Sequence, residues 1–183
     1  MKTRAKASEP PKSGKRTMDT ALLKLHSACL TNASALITEA ELLLNHKHFA
    51  RAFFLGYTAL EELGKSQVVG DFFYDMVSEG EFRAAFSDHK LKLAYIKRYV
   101  PILSTPNGQW LIEYDRASAS TDLKQRQKSL YVERTDKNEP QSPANVITHE
   151  TAQKVVQGAR ELLNEILHME MFTERIGTKA FTK

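Results

Sequence analysis

The segment Phe49–Val77 constrains the fold more than any other, because it would be apolar on nearly every side of a helix. A helix that is hydrophobic all round is normally buried, so other elements must surround this one. The segment nevertheless contains the run Ala59-Leu60-Glu61-Glu62-Leu63-Gly64-Lys65. Buried charges need partners or they neutralise, and Lys65 lies within helical reach of both Glu61 and Glu62. The run is therefore either a structural ion pair or part of a site.

Helical periodicity dominates the rest of the chain. Apolar residues recur at three- and four-residue spacing, which predicts amphipathic helices. The predicted helices span about 19–45, 49–78, 81–100 and 148–169. These predict an all-α bundle of four main helices. Outside them we expect a short helical turn at 110–114, an extended segment over Leu130–Glu133 that presents Tyr131, and a polar loop at 135–143.

Two local signals refine the second and third helices. Glycine inside a helix costs about 1 kcal/mol relative to alanine, so Gly64 indicates close approach of another helix. Glu79-Gly80 is predicted to interrupt the pattern. Ser87-Asp88 can cap a new helix, which would split the third region and place His89 in a first turn. A first turn attracts anions such as phosphate.

Charge is distributed unevenly along the chain. Residues 1–16 carry six basic residues and one acidic residue, a net of +5, so the remainder of a chain with formal charge +4 nets −1. With almost no apolar residues, 1–16 is predicted to be a flexible basic tail. We expect one helical domain over 17–176 and a frayed C-terminus at 177–183. Any nucleic-acid site must be local, because the domain is not broadly basic.

Several classes are excluded by what the sequence lacks. A single cysteine, Cys29, permits no intramolecular disulfide or cysteine-rich zinc site, and favours a reducing, cytoplasmic setting. No apolar run is long enough for a membrane span. There is no P-loop, GxSxG or HExxH motif. We expect no metal and no cofactor.

Three ordered motifs resemble one known family. They are Glu61-Glu62-Leu63-Gly64-Lys65, then Ser87-Asp88-His89-Lys90-Leu91-Lys92, then Lys124-Gln125-Arg126-Gln127-Lys128-Ser129-Leu130-Tyr131-Val132-Glu133. Their order and spacing are similar to those of AbiV-type abortive-infection proteins of the HEPN superfamily, over about residues 19–170. The resemblance implies a phage-defence protein, a HEPN-like helical bundle that usually dimerises and, in many relatives, a metal-independent endoribonuclease.

The HEPN nuclease signature is an arginine, four to six residues, then a histidine, and Arg83 and His89 fit it with five residues between. On a continuous helix these two would lie about 120° apart, so a shared site requires the break at Ser87-Asp88. The resemblance implies His89 as the proton-transfer group, with Arg83 and Lys65 completing the catalytic set. The remaining assignments are Arg126, Lys128 and Tyr131 for RNA and phosphate, and Glu61, Glu62 and Gly64 as supporting residues.

Two functions remain open from the sequence. The first is a ribonuclease toxin that blocks translation after infection, with RNA as substrate and a homodimer as the working form. The second is a non-catalytic helical dimer module that binds a host or phage protein, in which the Glu–Lys set is only an internal clamp. Within the first, either Glu61 or Glu62 is expected to orient either Lys65 or His89. His89 can instead be a core histidine satisfied by one hydrogen bond.

Overall fold

The computed structural model describes residues 20–73, 77–99 and 124–173. The expected basic tail, the turn at 110–114 and the expected C-terminal fraying lie outside these residues. Helices α1, Thr20–Asn45, and α2, Phe49–Phe73, form an antiparallel pair, joined by a tight turn in which Lys47 has φ 62°. The turn closes through Lys47 N–H to the Leu44 carbonyl and His48 N–H to the Leu43 carbonyl.

The third region consists of two helices, α3 at Glu79–Ser87 and α4 at His89–Tyr99. The break predicted at Ser87-Asp88 is confirmed: Asp88 is extended, with φ −96° and ψ 115°. The interruption predicted at Glu79-Gly80 is present but lies two residues earlier, at Val77-Ser78. Glu79 and Gly80 lie in the first turn of α3, because Ser78 caps the helix and forms a capping box with Glu81.

Residues 124–128 form a helical turn, α5. A two-stranded antiparallel hairpin follows, β1 at Glu133–Arg134 and β2 at Pro140–Gln141. The loop predicted at 135–143 therefore contains a strand, and its turn is closed by Asn138 N–H donating to the Thr135 carbonyl, with Asn138 at φ 62°. The extended segment predicted over Leu130–Glu133 is wrong except at Glu133, because the N–H groups of Leu130 and Tyr131 donate to the Gln127 carbonyl in a turn that ends α5. Tyr131 is exposed as predicted.

The last elements are the short α6, Pro143–Val146, and the long α7, His149–Thr173. Thr148 caps α7 as predicted, since its hydroxyl accepts from Thr151 N–H at 3.2 Å. Helix α2 lies at the centre and contacts α1, α3, α4, α6 and α7. The prediction that this apolar helix is surrounded is confirmed, and the architecture is the expected all-α bundle.

Two apolar clusters surround α2. The larger joins α2 to α1, α7 and the inner face of α4, and includes Phe53, Tyr57, Leu60 and Leu63. The smaller packs the end of α2 against α3 and α4, where the rings of Phe72 and Phe82 stack at 4.4 Å between centroids. Burial of this apolar surface is the main favourable term in holding the bundle together. None of the described helices is sufficiently long and apolar to traverse a membrane.

Candidate functional site

The structure separates the two adjacent carboxylates of α2. Glu61 is buried, with its side chain 4% exposed, and it faces α4 and α5. Glu62 forms an ion pair with Lys65 one turn further along α2, at 2.5 Å from Oε1 to Nζ. The sequence left open whether Lys65 pairs with Glu61 or with Glu62. In the structure Lys65 pairs with Glu62 on the same helix, whereas Glu61 makes the long-range contacts.

Three basic side chains converge on the Glu61 carboxylate, and we call these four residues the Glu61 cluster. His89 Nδ1 lies 2.7 Å from Oε2, and Lys92 Nζ lies 3.9 Å from the same oxygen. Arg126 Nε lies 3.4 Å from Oε1. Within the described chain neither Oε1 nor Arg126 Nε has an aligned hydrogen-bond partner, so their contact is electrostatic. One carboxylate thus ties α2 to both α4 and α5.

His89 begins α4 because the chain turns at Asp88. The Asp88 carboxylate accepts from Lys90 N–H at 2.8 Å, and the Asp88 carbonyl accepts from Lys92 N–H at 3.2 Å. The His89 side chain remains 44% exposed although its Nδ1 is engaged. This is not the core histidine that the sequence left as an alternative. It can meet a ligand from solvent while being held by a buried carboxylate.

Lys92 belongs to the Glu61 cluster but was not predicted as a site residue, although it ends the second of the three motifs in the sequence. It lies three residues after His89, on the same side of α4, and its side chain is only 7% exposed. Burial lowers the pKa of Lys92, and the negative charge of Glu61 opposes that effect. Smaller contributions to the same pKa come from Lys65, Glu62 and Arg126, which places all of these charges in one neighbourhood.

Gly64 brings α4 to the distance at which these contacts form. A Cβ built at Gly64 would lie 2.1 Å from the Lys92 carbonyl oxygen, a separation that non-bonded atoms do not tolerate. The prediction that Gly64 permits close helix approach is therefore confirmed, and the approaching helix is α4. The residue acts on the site by fixing the backbone that carries His89 and Lys92.

Arg126 is held between the carboxylate and a ring. Its guanidinium lies 4.8 Å from the Phe54 centroid, a cation–π distance, and its side chain is 18% exposed. Lys128 and Tyr131, predicted beside it, are not part of the Glu61 cluster. Lys128 pairs with Glu133 at 3.7 Å, and Tyr131 is 64% exposed. They form an outer, solvated flank to the same segment.

Arg83 forms its ion pair within its own helix and not with the other expected catalytic residues. Its guanidinium pairs with Glu79 on α3, at 2.5 Å, and the side chain is 76% exposed. Such exposed pairs contribute little to stability, so exchanging Glu79 for another anion would cost little free energy. Lys65 lies 5.9 Å from the Phe86 ring centroid and is 20% exposed. Of the expected catalytic set, only His89 contacts Glu61.

Cys29 and His26 are ionisable side chains of the interior that lie outside the Glu61 cluster. Burial, and to a smaller extent the negative charge of Glu62, raises the pKa of the Cys29 thiol to about 11, so the thiol stays protonated and unreactive.

His26 lines a groove of about 990 Å³ between α1 and α7 whose walls include Leu30, Leu163 and Leu167. Glu61 and His89 are not among its lining residues. No group of three or more metal-ligating side chains is found within 20–73, 77–99 and 124–173.

This all-α fold is the helical bundle that the resemblance implied, and the helical break that a shared Arg83–His89 site requires lies immediately before a partly exposed His89. The sequence model of the AbiV family, HEPN_AbiV, matches residues 21–164. The chain therefore belongs to the AbiV family of HEPN proteins, which indicates an abortive-infection, HEPN-type function. No curated protein and no solved structure matches the chain.

Proposed function

We propose that this protein is a metal-independent endoribonuclease toxin that blocks translation when a phage infects the cell. One observation carries the proposal: His89 is held by the buried Glu61 through Nδ1, yet remains 44% exposed. A histidine fixed by a carboxylate and open to solvent is the arrangement of a general acid–base group.

The chemistry suits RNA because the substrate carries its own nucleophile. His89 takes the proton of the 2′-hydroxyl as that oxygen bonds to phosphorus, and the P–O5′ bond breaks. The departing 5′-oxygen takes a proton from the imidazolium or from water, which leaves a 2′,3′-cyclic phosphate and a 5′-hydroxyl. Cations that meet the phosphorane stabilise its extra negative charge. Arg126, within the Glu61 cluster, and Lys65, one turn along α2 from Glu61, are available for that role, and Arg83 can exchange Glu79 for phosphate.

Lys128 and Tyr131 extend the proposed RNA contact along the outer flank. Tyr131 is exposed, so its ring can stack on an unpaired base. Lys128 forms a 3.7 Å ion pair with Glu133, and both side chains are about two-fifths exposed, so Lys128 can also meet a phosphate.

We propose that the protein acts as a homodimer. Sedimentation or light scattering of the purified protein tests this directly, because a monomer at working concentration would exclude it.

The proposed activity is tested with purified protein and single-stranded RNA in the presence of EDTA. We expect cleavage that persists without divalent metal and leaves 2′,3′-cyclic phosphate ends, identified by mass spectrometry. His89→Ala should lower the rate by about 10²–10⁴-fold, the usual contribution of a general acid–base group. His46→Ala, at an exposed turn residue, is the matched control and should cleave normally. Loss of cleavage on adding EDTA would contradict the proposal.

The alternative is a non-catalytic module that binds a host or phage protein. It is favoured by the same carboxylate, since Glu61 joins α2 to α4 and α5 as a clamp would. A phage-challenge assay separates the two functions. If His89→Ala keeps full protection of the culture while its circular dichroism and melting temperature match the wild type, the clamp is sufficient and the ribonuclease proposal fails.

A further inference from the structure

The Glu61 carboxylate holds two groups of α4 with a single oxygen. Oε2 lies 2.7 Å from His89 Nδ1 and 3.9 Å from Lys92 Nζ. We propose that Glu61, held by Lys92, is the positioning residue that leaves His89 Nε2 as the proton-transfer atom. This inference rests on the proposed ribonuclease function and specifies how its central residue is oriented.

The first step concerns the two nitrogens of the imidazole. A carboxylate only accepts hydrogen bonds, so the Nδ1 atom beside Oε2 carries a proton whether the ring is neutral or charged. The nitrogen that gains or loses a proton is then Nε2. Which tautomer a histidine adopts is set by the hydrogen bond at its other nitrogen. Glu61 therefore assigns the reactive atom, in the way that the triad aspartate orients its histidine in serine proteases.

The second step concerns Lys92. Its side chain is 7% exposed, so its ammonium faces Glu61 in the interior and is poorly placed to meet RNA. A buried charge is costly unless it is paired, and Glu61 is its nearest carboxylate contact. The backbone of the same residue is fixed as well, because its carbonyl lies against Gly64. Lys92 thus acts through two groups: its ammonium attracts the Glu61 carboxylate, and its carbonyl, packed against Gly64, fixes the backbone of α4 near His89.

Long-range ¹H–¹⁵N correlation spectra of uniformly labelled protein test the tautomer without using activity. We expect the His89 ring, assigned by its loss in His89→Gln, to show protonated Nδ1 and an unprotonated Nε2 in its neutral form. In Glu61→Gln the preference for protonated Nδ1 should weaken, since the anionic acceptor is gone. A neutral His89 with its proton on Nε2 in the wild type would overturn the proposal outright, whether or not Glu61→Gln folds.

The kinetics of the Lys92→Met variant test the proposed role of Lys92 in holding Glu61. We expect kcat to fall about 10- to 100-fold, by analogy with the loss seen when a residue that orients a metal-binding histidine is removed, with KM for RNA unchanged. Lys90→Met, at an exposed position of the same helix, is the matched control and should leave both constants unchanged. A rise in KM at unchanged kcat would show that Lys92 binds RNA directly, and unchanged constants would show that it has no role. Both results overturn the assignment.

The two proposals can fail separately. Protein that cleaves RNA through His89 but keeps its tautomer and kcat in Glu61→Gln and Lys92→Met retains the ribonuclease function and loses the positioning mechanism. Protein whose His89 ring is protonated at Nδ1, with that preference weakened in Glu61→Gln, but that never cleaves RNA retains the orientation of His89 and loses the function. In that second case Nε2 is not a proton-transfer atom, and the proposal is overturned in that part.

Discussion

The central helix α2 is held in two different ways on its two sides. Towards α1 and α7 it packs apolar side chains around Phe53, Tyr57 and Leu60, and the ion pair that links those outer helices, Glu41 with Arg160, lies at the surface. Towards α4 and α5 it adds the buried Glu61 cluster. The apolar side can therefore supply the fold, whereas the charged side fixes the orientation of particular polar groups.

The largest difference between the sides should appear when one carboxylate is removed from each. Glu61→Ala leaves Lys92 and Arg126 without their shared anion, and breaking a buried pair costs about 3–5 kcal/mol. Glu41→Ala removes a partly exposed pair, for which about 1 kcal/mol or less is expected. Urea denaturation of both variants measures these losses in the free energy of unfolding.

A loss of the same size in the two variants would show that Glu61 is solvated in solution and that the two sides do not differ. A double variant, Glu61→Leu with Lys92→Met, sharpens the result. Apolar replacement of a buried pair is often neutral or stabilising, so recovery of stability without recovery of RNA cleavage would separate the folding role of the cluster from its functional role.

The histidines differ in the same way, and pH should reveal it. His26 lies on the α1–α7 side, is 4% exposed, and burial lowers its pKa from 6.5 to about 4. The unfolded chain binds a proton below pH 6.5 that folded His26 does not accept, so stability falls as pH falls from 6.5 to 4. The full difference is about 3 kcal/mol. Above pH 7 this contribution to stability is constant.

Urea denaturation between pH 7.5 and pH 4 checks this dependence. In His26→Leu the acid-side loss of stability should shrink by about 3 kcal/mol relative to the wild type. His46→Leu, at an exposed turn histidine, provides the control and should keep the wild-type slope. A slope that is the same in His26→Leu and the wild type would mean that His26 is protonated in the folded protein.

The sequence predicted one side of α2 better than the other, for a physical reason. Periodicity reports which face of a helix is apolar, so the ends of α1, α2 and α7 were predicted to within five residues. The break at Ser87-Asp88 was predicted from cap residues. The partner of His89 was left open between Glu61 and Glu62, because Glu61 lies 28 positions away and only packing decides which of two adjacent carboxylates faces α4.

Lys92 was missed for a related reason. Lysine is rarely buried unless it is paired, and sequence alone gives no sign that a carboxylate 31 positions earlier would be its partner. The signal that could have found it is the combination of Gly64, which demanded a close helix, with the three-residue spacing of His89 and Lys92. The hairpin at Glu133–Arg134 and Pro140–Gln141 escaped because its strands are only two residues long.

The smallest predicted effects come from the two glycines at which neighbours approach α2. At Gly64 an added Cβ would lie 2.1 Å from the Lys92 carbonyl oxygen, so the backbone of α4 must move. At Gly56 it would lie 3.1–3.3 Å from Val155 and Val156 of α7, two of the three nearest atoms being side-chain methyls that can yield. Each alanine also gains about 1 kcal/mol of helix propensity.

We therefore expect Gly64→Ala to destabilise by about 1–3 kcal/mol, as overpacking usually does, and Gly56→Ala to change the free energy of unfolding by less than about 1 kcal/mol. Thermal and urea denaturation measure both. Because Gly64 fixes the backbone of α4, its variant should also disturb the His89 ring resonances, while Gly56→Ala leaves them in place. Equal spectra in the two variants would mean that α4 accommodates the extra methyl without moving the Glu61 cluster, and that the charged side of α2 is less rigid than its packing indicates.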